Sequence, residues 1–263
     1  MGGGYDFSER SVLAVFAHPD DESLACGGLL AWCASSGARV GLLCATRGEQ
    51  GRGADDETIA RIRAAELRAA ARILGISEVF LLDYPDGELQ WLDEGPRTGE
   101  LTADILKTIR LFDADVVVTF GEDGLYWHPD HIAVHHRTTA AVRALGNEAP
   151  ALYYVTLPER AIRNVVDLAV SQSDSDASCD MFGIDDPDAF GTLALPPTLV
   201  IDVAEFAVSK VAALKSHRSQ VGDGALARIA DADAARLLRL EYFRRAPLAC
   251  GREPFIEQLA AVS

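Results

Sequence analysis

The sequence lacks several features, and each absence argues against one class of protein. Its five cysteines never form a Cys-x-x-Cys pair, so we expect reduced, mostly buried thiols and no disulfide framework. No apolar run approaches membrane-spanning length. The opening MGGGYDFSER has no apolar signal-peptide core, and Asp6 stands where a myristoylation site needs Ser or Thr. These absences favour a cytoplasmic protein without a membrane partner.

Positive charge is also scarce. The chain has 24 Lys and Arg residues against 40 Asp and Glu residues, a formal net charge of −16 at pH 7. Such a charge repels nucleic-acid phosphates and anionic lipid surfaces, so we expect neither as a partner. The acidic residues either keep the protein soluble or accommodate a neutral or cationic small molecule. Whether the chain forms a homo-oligomer is left open.

The sequence does contain the pattern of an α/β fold. Short apolar, β-branched runs predict six buried strands, at 11–17, 39–46, 78–84, 115–120, 151–157 and 198–203. Helical patterns predict helices at 57–75, where Gly75 is the stop signal, at 204–220 and at 231–245. This alternation predicts a Rossmann-like, mostly parallel sheet with helices on both faces.

We expect a single domain over residues 1–263. The Ser- and Asp-rich stretch 171–197 is predicted to be an irregular loop or lid, because it shows little periodicity. Residues 198–263 are predicted to form a C-terminal extension that helps to close the site. The glycine-rich RGEQGRG is interpreted as a mobile rim of that site, since it does not match the phosphate-binding Gly-x-Gly-x-x-Gly pattern.

The tripeptide His-Pro-Asp occurs twice, at 18–20 within AHPDDE and at 128–130 within HPDH. Each copy follows a predicted strand, and the carboxyl ends of parallel strands open onto one ligand-binding edge. Proline followed by acids is also an ordinary helix start. That alternative leaves His18 and the recurrence unexplained, so we expect the two segments to face each other across a crevice.

Such an arrangement suits a metal ion. His18 and Asp21 are three residues apart and could turn toward one point, with His131 as a third ligand. Two imidazoles, one carboxylate and a vacant position are typical of catalytic zinc. Asp20 could then take a proton from a metal-bound water, and His128 could stabilise an oxyanion or protonate a leaving amine.

The same histidines also allow other interpretations. His131 and His135 are four apart and could form a helical metal pair on their own. The chain has no His-Glu-x-x-His zincin motif and no Gly-x-Ser-x-Gly nucleophile elbow.

Together, AHPDDE and HPDH resemble the PIG-L/LmbE-like family of metal-dependent N-acetylglucosamine deacetylases. Four further stretches resemble that family in the same order, namely TRGEQG (46–51), RAAELRAAARILG (63–75), YPDGEL (84–89) and KSHRSQ (215–220). The resemblance implies one divalent ion, zinc by preference, bound by His18, Asp21 and His131. It implies Asp20 as general base and His128, assisted by Tyr126, as the oxyanion or acid group.

The resemblance also implies substrate contacts from Arg63, Asp86 and His217. Each of these residues has a plainer alternative. Arg63 could lie on a solvated helix face, Asp86 could belong to a Pro-Asp-Gly turn, and His217 could bond to the backbone. Tyr126 could simply be a packed aromatic residue.

The implied activity is hydrolysis of an N-acetyl, or other N-acyl, group from a glucosaminyl conjugate. Candidate substrates are a thiol-cofactor precursor such as a mycothiol precursor and a glycopeptide-antibiotic pseudoaglycone; the acidic stretch 171–191 favours a bulky or cationic acceptor. Two other functions are left open. One is a non-catalytic sugar- or nucleotide-binding module, and the other is a metal phosphoesterase, which normally needs a second metal.

Overall fold

The computed structural model describes residues 5–53, 55–94, 97, 99–171, 184, 186–249 and 251–260. Its strands are β1 (Ser11–Phe16), β2 (Arg39–Thr46), β3 (Glu78–Tyr84), β4 (Val116–Phe120), β5 (Ala151–Val155), β6 (Leu199–Asp202) and β7 (Leu240–Arg245). They form one sheet in the order β3-β2-β1-β4-β5-β7-β6. The predicted α/β fold class and the six predicted strands are confirmed.

Helices connect the strands, as the sequence pattern predicts. They are α1 (Asp21–Ser35), α2 (Asp56–Leu74), α3 (Glu100–Phe112), α4 (Gly124–Trp127), α5 (Pro129–Arg143), α6 (Ala161–Ser171), α7 (Ala207–Ser216), α8 (Arg218–Val221) and α9 (Asp231–Leu238). Helix α2 ends at Gly75, whose φ of 72° is the left-handed conformation that glycine tolerates best. None of the helices within the described ranges is long and apolar enough to cross a bilayer.

The sheet consists of a parallel part and an antiparallel edge. β1 pairs in parallel with β2 and β4, and the parallel arrangement extends to β3 and β5. The apolar side chains of β1, β2, β4 and β5 are almost entirely buried, because helices cover both faces of a doubly wound sheet. Strand order reverses between β1 and β4, which is where ligands bind in folds of this class.

The predicted helix over 231–245 is wrong in its second half. Helix α9 ends at Leu238, and Leu240–Arg245 forms β7, antiparallel to both β5 and β6. The strand is hard to recognise because Glu241 occupies an inward position beside Phe243, with exposures of 2% and 0%. A buried acid interrupts the apolar alternation that identifies a strand, and Leu, Glu and Arg are good helix formers.

The other expectations about local structure have mixed outcomes. Cys26, Cys33 and Cys44 are buried free thiols, as predicted, while Cys179 and Cys250 lie outside the described residues. About half of the predicted loop 171–197 also lies outside them, namely 172–183 and 185. The predicted helix at 204–220 is divided into a 3-10 turn, α7 and α8.

Candidate active site

A polar cleft of about 300 Å³ opens at the carboxyl ends of β1 and β4. It is lined by His18, Asp20, Asp21, Gln50, Gly51, Arg52, Arg63, Asp86, Gly87, Tyr126, His128 and Gln220. Most of the residues singled out from the sequence therefore meet in one place. The cleft brings together the two His-Pro-Asp segments, as the parallel sheet predicts.

Three candidate ligand groups face one another at the bottom of the cleft. His18 Nδ1 lies 3.1 Å from His131 Nε2. The Asp21 carboxylate lies 3.3 Å from His131 Nε2 through Oδ1 and 3.6 Å from His18 Nδ1 through Oδ2. A tetrahedral zinc ion with bonds near 2 Å separates its ligand atoms by about 3.3 Å. The spacing of these side chains therefore matches the edges of such a site.

The second nitrogen of each imidazole is anchored away from that point. His18 Nε2 lies 2.9 Å from Asp86 Oδ1 and 3.2 Å from Asp130 Oδ2. His131 Nδ1 donates to the carbonyl oxygen of Gly124 at 3.0 Å. This pattern, in which one nitrogen faces the site and the other donates to an oxygen, is the usual support for a metal-binding histidine.

The electrostatics of the cluster favour a positive charge between the rings. Burial opposes protonation of His18, but its hydrogen bonds to Asp130, Asp21 and Asp86 raise its pKa well above the ordinary value. Burial lowers the pKa of His131 to about 3, despite the neighbouring Asp21 carboxylate. A charged His18 Nδ1–H therefore donates to the neutral Nε2 of His131. That proton lies between the two nitrogens, in the position that a divalent cation bound to both rings would take.

Asp21 itself is ionised. Burial acts to raise its pKa, but His131 and His18 lower it below the ordinary value. The carboxylate also accepts the backbone N–H of His18 at 2.7 Å, which fixes the tight turn into α1. An ionised carboxylate and two imidazole nitrogens form a donor set that binds zinc and other divalent ions.

Asp20 lies beside this cluster and is paired with Arg63. Its Oδ2 accepts from Arg63 Nη2 at 3.0 Å, and the guanidinium also donates to the carbonyl oxygens of Pro19 and Gly48. Arg63 is 5% exposed, so the alternative of a solvated helix face is wrong. A side chain at Gly48 would collide with the guanidinium, and its φ of 67° also requires glycine.

Burial raises the pKa of Asp20 to about 7, although Arg63 acts to lower it. A carboxyl group with a pKa close to neutrality is well matched to accepting and returning a proton. The geometry therefore lets Asp20 act as a proton acceptor beside the ligand cluster.

His128 and Tyr126 form the opposite wall of the cleft. His128 caps helix α5, because its Nδ1 accepts the backbone N–H of Asp130 at 3.2 Å. Burial lowers the pKa of His128, so the neutral ring carries its proton on Nε2. Burial also raises the pKa of Tyr126 well above its ordinary value, which keeps its hydroxyl a donor. Both residues can thus donate a hydrogen bond.

Asp86 both forms a turn and faces the cleft. Glu88 N–H donates to the Pro85 carbonyl oxygen at 3.3 Å across Gly87, which confirms the predicted turn. The Asp86 side chain nevertheless turns inward, where Oδ2 accepts the backbone N–H of Gln50 at 2.9 Å. The turn and the functional interpretation of this residue are therefore compatible.

The histidines at i and i+4 on α5 do not act as a pair. His131 belongs to the cluster, whereas His135 Nδ1 donates to the Phe120 carbonyl oxygen at 3.0 Å and lines a separate cavity. Two other groups of close ligand atoms do include His18. They are His18, His128 and His131, and His18, Asp86 and Asp130.

The chain matches the sequence model of a known family over residues 13–142, described as PIG-L, GlcNAc-PI de-N-acetylase. A relative in Kineococcus radiotolerans is 32% identical, over 81% of this chain and 69% of its own length. That protein is named 1D-myo-inositol 2-acetamido-2-deoxy-alpha-D-glucopyranoside deacetylase. The chain belongs to the PIG-L family.

Solved structures confirm the fold of this PIG-L protein. An N,N'-diacetylchitobiose deacetylase from Pyrococcus horikoshii superposes with a TM-score of 0.64, over 90% of this chain and 84% of its own, at 21% identity. The zinc-inhibited form of a teicoplanin deacetylase gives a TM-score of 0.60, over 90% and 99% of the two chains, also at 21% identity. At this level of identity, the comparison concerns the fold alone.

Sequence reasoning missed two acidic residues of the PIG-L site. Asp130 accepts the backbone N–H groups of Gly87 and Leu89 and contacts His18, so it connects three segments. Glu22 is fully buried and lies 2.9 Å from His217 Nε2. Glu22 belongs to the motif AHPDDE and Asp130 to HPDH, and this membership is the sequence signal that could have identified them as site residues.

His217, which was predicted to contact substrate, is buried without exposed surface. From the same segment, Gln220 lines the cleft, where its Oε1 accepts the backbone N–H of Arg52 at 3.2 Å.

Proposed function

We propose that this protein is a hydrolase that removes the acetyl group from a glucosaminyl conjugate, with one divalent ion, zinc by preference, held by His18, Asp21 and His131. The observation that carries the proposal is the convergence of these three groups on one point while the remaining imidazole nitrogens are anchored elsewhere. The name of the Kineococcus relative supports an N-acetylated amino sugar as substrate.

The set of His18, Asp21 and His131 suits a metal ion better than the two other groups of close ligand atoms. Those groups include His128 in one case, and Asp86 and Asp130 in the other. His128 Nδ1 is already engaged as the acceptor that caps α5. Both oxygens of Asp130 accept backbone N–H groups, and Asp86 Oδ2 does the same. Within the described ranges, His18 Nδ1, His131 Nε2 and the Asp21 carboxylate contact one another and, through Asp21, the backbone N–H of His18. This leaves their lone pairs directed at one point, as metal binding requires.

The bound ion would polarise the amide carbonyl and lower the pKa of a water molecule to about 7. Asp20 accepts the proton of the attacking water, and Arg63 holds the Asp20 carboxylate in place. His128 Nε2–H and the Tyr126 hydroxyl donate to the oxygen that becomes negatively charged, and the proton that Asp20 has accepted passes to the leaving amine.

The sugar is proposed to lie against the polar floor of the cleft. Asp86 lines that floor and is an acceptor for sugar hydroxyls, and the Arg63 guanidinium lies beside it. The arginines of the lining, Arg52 and Arg63, are balanced by three aspartates, which fits a neutral or cationic conjugate, in keeping with the net charge of −16.

The test is an assay for free amine and acetate released from N-acetylglucosaminyl conjugates, including N-acetylglucosaminyl-inositol and a glycopeptide. A strong chelator should abolish release, and added zinc should restore it. Turnover after complete metal removal would contradict the metal site. Binding of the conjugates without turnover would instead indicate a sugar-binding module, and hydrolysis of a phosphate ester alone would indicate a phosphoesterase.

A further inference from the structure

Asp20 has a backbone conformation that its residue type rarely adopts. Its φ is 123° and its ψ is −26°, outside the regions that are favourable for a residue with a side chain. Such conformations persist only when surrounding contacts impose them, and they cluster at functional sites. The contacts around Asp20 therefore decide where its carboxylate points.

Two buried groups impose the conformation. Arg63 binds the Asp20 carboxylate, as described above, and Glu22 Oε2 accepts the Asp20 backbone N–H at 3.1 Å. Glu22 has no exposed surface and does not line the cleft. Its effect on chemistry can therefore pass only through its neighbours.

Glu22 is in turn held by the C-terminal extension. Its Oε1 accepts from Ser23 Oγ at 2.5 Å and from His217 Nε2 at 2.9 Å. His217 lies at the junction of α7 and α8, and its Nδ1 has no hydrogen-bond partner among the residues that the structure describes. The polar contact of its ring that bears on the site is thus the one to Glu22.

We propose that Glu22 and His217 are positioning residues that hold Asp20 in its left-handed conformation and so aim its carboxylate into the cleft. This inference rests on the proposed role of Asp20 as the base. It replaces the predicted contact between His217 and substrate with an indirect role, in which the C-terminal extension sets the geometry of a residue in the turn between β1 and α1.

The first test compares two substitutions of His217. His217→Leu removes the donor, and kcat should fall on the order of 10²-fold, because a small misplacement of a catalytic group has that effect. KM and metal content should be unchanged, since neither the cleft lining nor the ligand cluster is altered. His217→Gln keeps a donor near the Nε2 position and should recover most of the loss. Equal activity of His217→Leu and the wild type would overturn the proposal.

A matched control separates positioning from general destabilisation. Lys210, also on α7, forms a buried ion pair with Glu241 at 2.5 Å, and Glu241 accepts the backbone N–H groups of Gly28 and Leu29. Lys210→Met should lower the melting temperature, yet leave the kcat of the folded enzyme unchanged. A loss of kcat as large as that of His217→Leu would show that any loosening of the extension has this effect, and would overturn the proposal.

A double-mutant cycle connects the effect to Asp20. In an Asp20→Asn background, His217→Leu should cause no further loss of kcat, because the group being positioned is no longer a base. Additive losses would mean that His217 acts elsewhere. If Asp20→Asn alone leaves kcat intact, the proposed function of Asp20 is wrong, which is a distinct result.

A crystal structure of His217→Leu gives a readout that does not depend on turnover. Asp20 should leave the left-handed region, and its carboxylate should turn away from Arg63. An Asp20 that keeps its φ near 123° in this variant would overturn the proposal, whatever the substrate of the enzyme.

Discussion

The two His-Pro-Asp segments, residues 18–20 and 128–130, carry the same side chains and follow neighbouring parallel strands. In the second segment, His128 caps α5 through its ring, Pro129 is the first helical residue and Asp130 lies in the first turn. In the first segment, Asp20 makes no side-chain cap and has a φ of 123°. The second segment is thus an ordinary helix start, whereas the first is a strained one.

The difference shows that a shared motif does not imply a shared role. His18 directs one nitrogen into the ligand cluster, but His128 uses its Nδ1 to begin a helix and leaves Nε2–H as a donor. Asp20 is turned toward Arg63 and the cleft. The carboxylate of Asp130 instead accepts two backbone N–H groups and contacts His18. Backbone conformation and available partners, rather than residue type, distinguish the two segments.

The largest expected effect lies in the first segment. Asp20→Asn should lower kcat on the order of 10²–10⁴-fold and keep the bound metal, because asparagine preserves size and hydrogen bonding but cannot accept the proton. Asp21→Ala should lose metal and activity together, since it removes one of three proposed ligands. Turnover and metal content per chain check both variants. Loss of metal from Asp20→Asn and retention by Asp21→Ala would mean that the two roles are reversed.

The next effect is expected at the start of the second segment. His128→Asn retains an acceptor near the Nδ1 position and thus the cap of α5, but it lacks Nε2–H, so kcat should fall about 10²–10³-fold. His128→Leu removes both groups and should in addition destabilise the protein by about 1 kcal/mol. Comparing kcat and thermal unfolding of the two variants separates the functions. A His128→Asn enzyme with normal kcat would show that the residue is only a helix cap.

A smaller effect is expected where the segments meet. In the wild type, the Asp130 carboxylate accepts backbone N–H groups and contacts His18 Nε2. Asp130→Asn replaces it with an amide, which has one acceptor oxygen fewer, and so weakens the support of His18. We expect metal affinity to fall about 10–100-fold, as for other supports of metal-binding histidines. Titration against a competing chelator measures this change, and saturating zinc should restore most of the activity. Unchanged affinity would mean that Asp130 serves the loop at Gly87 and Leu89 rather than the metal site.

Much of this fold could be predicted from the sequence, because its strands are continuous apolar runs and its helices are periodic. The exception is β7, where Glu241 faces inward. Its carboxylate binds Lys210 and the backbone at Gly28, and these partners come from distant parts of the chain. Only the tertiary structure compensates a buried acid, so a local pattern could not reveal this strand.

The features of the site likewise divide into those that local sequence patterns predict and those that depend on tertiary contacts. The meeting of His18 and His131 follows from two motifs at the ends of adjacent parallel strands. The contacts of Glu22 with His217 could not be predicted, because they depend on how α7 and α8 pack against the start of α1. The left-handed conformation of Asp20 was equally hidden, since aspartate adopts positive φ only occasionally and no sequence pattern marks the position.

The smallest expected effect concerns His135, one turn beyond His131 on α5, which by its spacing could have formed a helical metal pair with His131. Its Nδ1 donates to the Phe120 carbonyl oxygen, a contact that His135→Asn can retain through its amide. We therefore expect unchanged metal content and kcat, and a change of less than about 1 kcal/mol in the free energy of unfolding, the usual scale for altering one hydrogen bond. Metal analysis and denaturant unfolding of this variant provide the measurement. A loss of metal comparable to that of Asp21→Ala would mean that α5, rather than the first His-Pro-Asp segment, supplies most of the metal ligands. The contrast drawn between the two segments would then be wrong.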